Sequence, residues 1–380
     1  MAEPIRDLLA IPQDFTTGRV DIASGVARMS ATLWATRWQV PGAHVDTAVV
    51  FVHPTSNFMG HYALAPLAER GVAAIGMATR YSGNDSTLIV ENCLLDIGAV
   101  VRYLREDLGY AKVLLVGNSG GGSLAALYQS QAENPTITST PAGDPPDLTI
   151  HQLPALDGLS LAMAHPGRAR VYTDSLDASI LDENDPFLRD PELDIFCAEN
   201  GPPYSPSFME RYRAEQRARN LRITKWVRES LARLEADPDG PDDMPFVVHG
   251  TAADPRFLDL TQDPSDRVAN TILGDPRKTN FLPARLGHYS SLRSWLSQWS
   301  IEDSRSDAIK ELPHITVPVQ IVYGTADNAV FPSHAEEMFA AVRAEQKEII
   351  ALKGADHYFR NNPELRDEMC DHISRWAKSL

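Results

Sequence analysis

The sequence contains few cysteines and no long apolar run. Its three cysteines, Cys93, Cys197 and Cys370, are scattered over 380 residues, so their spacing matches neither a metal site nor a disulfide framework. No run approaches the roughly 18 apolar residues of a membrane-spanning helix, and no apolar segment follows a basic one at the N-terminus. These absences predict a cytoplasmic protein that spans no membrane and binds no metal.

Basic residues are also scarce, which argues against a nucleic-acid partner. The chain has 35 Lys and Arg against 51 Asp and Glu, a formal net charge of −16 at pH 7. Phosphate binding needs a basic face. The segment from Ser207 to Ala236 is rich in arginine, but it reads as a long helix, broken near Asn220, whose own glutamates can pair with those arginines. We therefore expect a small-molecule partner.

The most informative motif is Gly117-Asn118-Ser119-Gly120-Gly121. It follows the apolar run 113–116 and precedes the helix-like segment 122–128. A strand, a Gly-x-Ser-x-Gly turn and a helix together are typical of a nucleophile elbow. The tight turn forces the serine into an uncommon backbone conformation, and the free N–H groups of the helix point at the same place. Glycine-rich strand-to-helix turns are common, so the interpretation depends on this context.

An acid and a histidine follow two later apolar segments. The run 318–323 leads into Gly324-Thr325-Ala326-Asp327, and the run 347–352 leads into Gly354-Ala355-Asp356-His357, with a predicted helix from Ser333 to Arg343 between them. Serine, aspartate and histidine in this order, each after a strand, are the pattern of a Ser-His-Asp triad. Alternatively, Asp327 is a turn residue or helix cap and His357 a surface histidine. Asp174 and Asp177 compete for the role of the acid, but they lie well beyond the end of the strand 159–164.

In these motifs the chain resembles the α/β-hydrolase family, over residues 45–165 and 313–380. The resemblance implies an α/β fold with a mostly parallel central sheet, helices on both faces and catalytic residues on loops at the strand C-termini. The apolar runs 48–52 and 72–77 and the helical spacing over 94–108 support this sheet independently. Alternation from Arg28 to Trp38 suggests leading antiparallel strands. We expect residues 1–165 and 313–380 to form the hydrolase core.

The resemblance also implies an oxyanion hole. The segment His53-Pro54-Thr55 lies where the family carries a His-Gly loop that supplies one backbone donor, and the residue after the nucleophile, here Gly120, supplies the other. Proline has no N–H, so the first donor is assigned to Thr55. The alternative is a proline turn that only ends the strand.

Residues 166–312 interrupt the predicted sheet where the family inserts a cap, and we expect a mainly helical cap there. Leu286 to Ser300 reads as one helix that carries large amphipathic side chains. Candidate substrate-binding residues are His53, His288, Tyr289, Trp295 and Trp299. For the two tryptophans, packing of the cap onto the core is the favoured alternative.

These observations predict a serine hydrolase that needs no cofactor and cleaves a small apolar carboxylic ester, a lactone or a thioester through an acyl-enzyme. A C–C bond hydrolase, an amidase and an acyltransferase use the same fold and stay open, as does a hydrolase-like binding protein without turnover. The sequence leaves open whether the protein forms a homo-oligomer.

Overall fold

A computed structural model of the protein describes residues 3–13, 32–283, 285–360 and 362–380. Of the segment predicted to form leading strands, residues 28–31 lie outside the described residues. The strands are β1 (Ile5–Pro12), β2 (Thr32–Gln39), β3 (Thr47–Val52), β4 (Ala73–Met77), β5 (Lys112–Ser119), β6 (Gly158–Ala164), β7 (Ile180–Asp182), β8 (Asp185–Arg189), β9 (Pro245–Val247), β10 (Tyr289–Ser291), β11 (Val319–Gly324) and β12 (Lys347–Leu352).

Ten α-helical segments fall within the described residues, several of them a single turn long. They are α1 (Leu64–Glu69), α2 (Val90–Glu106), α3 (Gly121–Glu133), α4 (Arg168–Ser175), α5 (Pro206–Glu235), α6 (Pro276–Thr279), α7 (Leu292–Ser294), α8 (Ala308–Glu311), α9 (Pro332–Ala341) and α10 (Pro363–Ser379). A π-helical turn, Trp295–Trp299, continues α7.

Eight of the strands form one sheet in the order β1-β2-β4-β3-β5-β6-β11-β12. The pairs β1–β2 and β2–β4 are antiparallel, and the remaining pairs are parallel. All six residues of β3 are buried, because helices cover both faces of the sheet. Val50 packs with α2 and α3 on one face, whereas Val49 packs with α1 and α10 on the other. The predicted mostly parallel α/β sheet is confirmed.

Residues 166–312, which we call the insert, leave the sheet after β6. The insert has an apolar core of its own, formed largely by α4, α5 and the segment 292–299. Its end rejoins the core of the sheet by residue 308, before the boundary predicted at 313, because Ala308 and Leu312 pack with the apolar residues under α3.

The helices of the insert differ from the sequence prediction in two places. The helix α5 continues through Asn220, because the side-chain amide of Asn220 donates to Thr173 Oγ1 (3.0 Å) and to the carbonyl oxygen of Trp299 (2.9 Å) and does not compete with the helix backbone. The segment 286–300 is not one helix. Residues 289–291 form β10, which pairs with β9, and helical structure begins only at Leu292.

Candidate active site

Ser119 ends β5 in a strained backbone conformation. Its φ angle is 55°, in the left-handed region that non-glycine residues rarely occupy. The glycines around it allow close backbone packing: a Cβ on Gly117 would lie 2.5 Å from the carbonyl oxygen of Gly121, and a Cβ on Gly121 would collide with the carbonyl oxygen of Val52. The side chain of Ser119 is partly exposed to a small pocket. The local geometry is thus that of the predicted elbow.

Asp327 and His357 form a hydrogen-bonded pair on the loops after β11 and β12. His357 Nδ1 lies 2.7 Å from Asp327 Oδ2, and both side chains are almost fully buried. The other carboxylate oxygen, Oδ1, accepts the backbone N–H groups of Ala329 (2.7 Å) and Val330 (2.9 Å). Burial alone would lower the pKa of His357, but the adjacent Asp327 carboxylate outweighs it and raises this pKa above its usual value.

The two competing aspartates pair with other groups. Asp174 lies 3.1 Å from Arg256 and Asp177 lies 2.9 Å from Arg189, and neither hydrogen-bonds to His357 in the described part of the chain. The other hydrogen bond of the predicted triad, between Ser119 and His357, is not formed in this structure. Among the described residues, no hydrogen bond joins Ser119 to His357.

The loop after β3 places His53, and not Thr55, at the pocket. His53 lines the pocket together with Ser119 and Gly120. The backbone N–H of Thr55 donates to His53 Nδ1 (3.1 Å), as does that of Ser56 (2.8 Å). Because the Thr55 N–H is engaged within its own loop, the structure does not support Thr55 as an oxyanion donor. Gly120 stands at the N-cap of α3, beside the first helical turn, whose N–H groups have no partner within the helix.

Three polar side chains surround the Cα atom of Gly120. A Cβ at this position would lie 3.0 Å from His53 Nε2 and 3.5 Å from both His165 Nε2 and Arg168 Nη1. Burial, reinforced by the Arg168 charge, lowers the pKa of His53 well below its usual range. The same causes lower the pKa of His165 to about 3. Both imidazoles are therefore neutral at pH 7.

The pocket at Ser119 has a volume of about 70 Å³, and its lining includes several polar side chains beside apolar ones. The polar lining residues beyond those predicted are His165, Arg168, Ser175, Thr251 and Arg285. Sequence reasoning missed them because they lie in or beside the insert. One signal was available: His165 and Arg168 directly follow β6, at the same sheet edge as Ser119.

The predicted substrate residues of the insert separate into three environments. Trp299 lines the pocket and stacks against the Arg168 guanidinium, whose carbon lies 4.4 Å from the ring centre. Trp295 is fully buried in the core of the insert, and its Nε1 donates to Thr224 Oγ1 (2.9 Å). His288 is buried against His249, and Tyr289 is 48% exposed. Neither His288 nor Tyr289 lines the pocket, and Tyr289 pairs with Val247 of β9.

A larger cavity lies within the insert, away from the three predicted triad residues. Its volume is about 650 Å³, and it is lined by residues of α5, of β9 and of the turn between β7 and β8. Size alone would favour this cavity as a binding site. We place the candidate active site at the smaller pocket, because only there do the strained serine and several buried polar groups meet.

In the described ranges, no three His, Cys, Asp or Glu side chains are arranged to hold a metal ion. None of the helices in those ranges is both long enough and apolar enough to cross a membrane.

Comparison with known proteins identifies the fold. No protein-family model matches the sequence, and no curated protein matches it either. Among solved structures, the chain is similar to DcsB in complex with its substrate analogue, with 11% identity, 99% of this chain and 100% of that chain covered, and a TM-score of 0.53. It also matches the monoacylglycerol lipase of Paleococcus ferrophilus with 16% identity, 91% of this chain and 98% of that chain covered, and a TM-score of 0.47. Est1E of Butyrivibrio proteoclasticus matches with 13% identity, 98% of this chain and 99% of that chain covered, and a TM-score of 0.48. The protein has the α/β-hydrolase fold, as its motifs predicted.

Proposed function

We propose that the protein is a serine hydrolase that cleaves a carboxylic ester, a thioester or a lactone through an acyl-enzyme. One observation carries this proposal. The strained Ser119 ends β5, and the hydrogen-bonded Asp327–His357 pair follows β11 and β12, so all three residues lie at the C-terminal edge of one parallel sheet.

In the first half of the reaction, Ser119 Oγ attacks the carbonyl carbon of the substrate and its proton passes to His357 Nε2. The Asp327 carboxylate holds the Nδ1–H and stabilises the imidazolium that forms. The Ser119–His357 hydrogen bond forms when substrate is bound, since such contacts are often long or misaligned in unliganded enzymes. The proton then moves from Nε2 to the leaving oxygen or sulfur, and the acyl group stays on Ser119.

The oxyanion is stabilised by the Gly120 N–H and by His53. His53 Nδ1 accepts two backbone N–H groups, so the neutral ring carries its proton on Nε2. This Nε2–H lies beside Gly120, in the pocket that contains Ser119. His53 thus replaces the backbone donor that the sequence assigned to Thr55.

In the second half, water attacks the acyl carbon. His357 takes one water proton and returns it to Ser119 Oγ as the ester bond breaks, which releases the carboxylic acid and restores the enzyme. In this scheme the insert acts as a cap, because Trp299, Tyr172 and Arg285 from it line the pocket at Ser119.

A second candidate is a binding protein of the same fold that does not turn over its ligand. The observation in its favour is the missing hydrogen bond between Ser119 and His357 among the described residues, together with the small volume of the pocket, about 70 Å³. In that case the insert would hold the site closed.

Labelling with a fluorophosphonate and turnover of 4-nitrophenyl acetate distinguish the two candidates. The proposed function requires covalent labelling of Ser119, steady turnover of the acetate, and loss of both in Ser119→Ala. Ser123, the next serine along the chain, lies inside α3 and hydrogen-bonds to Ser306, so Ser123→Ala is the matched control and should keep both activities. Labelling without turnover would favour the binding protein. Labelling at another serine would exclude the proposed nucleophile.

A further inference from the structure

The guanidinium of Arg168 is buried beside the proposed nucleophile with part of its hydrogen-bonding capacity unused. Arg168 is 3% exposed, and its Nε and Nη2 have no hydrogen-bond partner among the described residues. Its nearest carboxylate, Asp85, lies 3.6 Å from Nη2, and that carboxylate already accepts the backbone N–H of Gly287. A buried charged group without hydrogen bonds is unfavourable unless something else in the site satisfies it.

Another arginine of the insert shows what the edge of a guanidinium formed by Nε and Nη2 can bind. Arg219 is also fully buried, and its Nε and Nη2 hold the two carboxylate oxygens of Glu183 at 2.7 and 2.6 Å. Two parallel N–H groups match the two oxygens of a carboxylate. The same pair of atoms in Arg168 has no such partner in the part of the chain that the structure describes.

A second arginine adds to the charge at this site. Arg285 lines the same pocket, and its Nε donates only to the carbonyl oxygen of Thr251 (3.3 Å). No carboxylate among the described residues forms an ion pair with it. Among the described residues, Asp85 is the one carboxylate that forms an ion pair with Arg168. The lining is locally cationic in a chain with a net charge of −16, so the overall charge of the protein does not account for it.

We propose that the substrate carries a carboxylate close to its scissile carbonyl, and that Arg168, assisted by Arg285, binds this carboxylate beside Ser119. This inference rests on the proposed ester hydrolysis and names its substrate class, an acid ester in place of the apolar ester that the sequence predicted. The small volume of the pocket, about 70 Å³, fits a short group and not a long acyl chain. Trp299 covers one face of the guanidinium and so orients its edge.

Two esters of equal length test the proposal. Monomethyl succinate and methyl succinamate share the scissile methyl ester. At the other end, the first carries a carboxylate and the second carries a neutral amide. We expect the wild-type kcat/KM for the succinate ester to be higher by about 10- to 100-fold, mainly through KM, since hydrogen bonds to charged groups commonly contribute this much. Arg168→Gln should abolish the preference, Arg285→Gln should reduce it, and Arg168→Lys should keep part of it.

The matched control is Arg170→Gln. Arg170 is on the same helix, α4, but it pairs with Glu337 at the surface and does not line the pocket. This variant should keep the wild-type preference. If Arg168→Gln does not fold, the wild-type preference and the Arg285→Gln variant still decide the question.

Several outcomes would overturn the proposal. Equal turnover of both esters by the wild type would exclude a carboxylate site while leaving the serine hydrolase intact. An equal loss toward both esters in Arg168→Gln would place Arg168 at the reacting atoms and not at a substrate carboxylate. Calorimetric binding of succinate needs no turnover, so it separates failure of this inference from failure of the proposed function. Saturable binding that Arg168→Gln weakens at least tenfold supports the inference, whereas no binding, or tighter binding of inorganic phosphate, contradicts it.

Discussion

His357 Nδ1 and Asp327 Oδ2 lie 2.7 Å apart although 30 residues separate them in the chain. Two backbone N–H groups, of Ala329 and Val330, hold the other oxygen of the same carboxylate. The carboxylate therefore cannot turn away, and the imidazole is held in the tautomer that leaves Nε2 free to accept a proton.

Asp327→Asn should reduce kcat for 4-nitrophenyl acetate by roughly 10⁴-fold, because the amide favours the unproductive tautomer of His357. The control is Asp174→Asn, which removes a carboxylate that pairs with Arg256 and should leave kcat within a fewfold of wild type. The measurement is steady-state turnover of both variants. If Asp174→Asn is inactive and Asp327→Asn is not, the acid has been assigned to the wrong residue.

The pH profile should reflect the pKa of His357. As the base, His357 must be neutral, and Asp327 raises its pKa above the usual 6.5. Activity should therefore fall as the pH drops, with the midpoint of the acid limb of kcat/KM above pH 6.5. Asp327→Asn removes the two largest causes that raise the pKa, while burial, the largest cause overall, still lowers it, so the residual activity should have its midpoint at lower pH. An acid limb that does not move in this variant would show that another group titrates.

Two substitutions at His53 distinguish the role of Nδ1 as an acceptor from the role of Nε2 as a donor. In His53→Asn the side-chain oxygen takes the place of Nδ1 and still accepts the Thr55 and Ser56 N–H groups, but the donor at Nε2 is lost. We expect kcat to fall by about 100- to 1000-fold, the usual cost of removing one oxyanion donor. In His53→Gln a side-chain N–H replaces Nε2–H, so part of this loss should be recovered. If His53→Asn kept the wild-type kcat, the oxyanion hole would consist of backbone donors alone.

Neighbouring glycines should respond differently to alanine. A Cβ on Gly120 would press on His53, His165 and Arg168, which are side chains of the site, so Gly120→Ala should impair kcat more than folding. A Cβ on Gly121 would collide with the backbone oxygen of Val52, which cannot easily move, so Gly121→Ala should destabilise the fold itself. Urea unfolding and turnover of both variants test this contrast. Equal destabilisation by both substitutions would mean that the backbone is packed equally tightly at the two glycines.

The two tryptophans of the insert should also differ. Trp295→Ala should lower the free energy of unfolding by about 3–5 kcal/mol, as expected when a fully buried tryptophan is truncated. Trp299→Ala should change kcat/KM for the succinate ester more than for the neutral amide ester, because Trp299 stacks on Arg168 in the pocket. Urea unfolding and the two-ester comparison measure these effects. An unchanged ester preference in a folded Trp299→Ala would contradict a role for this ring at the site.

The sequence alone predicted the strand–turn–helix pattern around Ser119 and the order of Ser119, Asp327 and His357. Each depends on residues close together in the chain, since an apolar run predicts a buried strand and small residues after it predict a tight turn. The sheet and its parallel order followed from the same local signals. The Asp327–His357 pairing also follows, because loops after neighbouring parallel strands meet at one edge.

The chemical character of the pocket was decided by tertiary structure. His165 and Arg168 follow β6 at the sheet edge of Ser119, but Arg285 comes from a distant part of the insert, and nothing in its local sequence shows that it lies beside Ser119. Thr55 had the spacing of an oxyanion donor, but its N–H is taken by a side chain two residues earlier. Trp295 and Trp299 share one π-helical turn and both contact Tyr172, yet only Trp299 also lines the pocket. Such outcomes depend on long-range packing and burial, which sequence periodicity does not report.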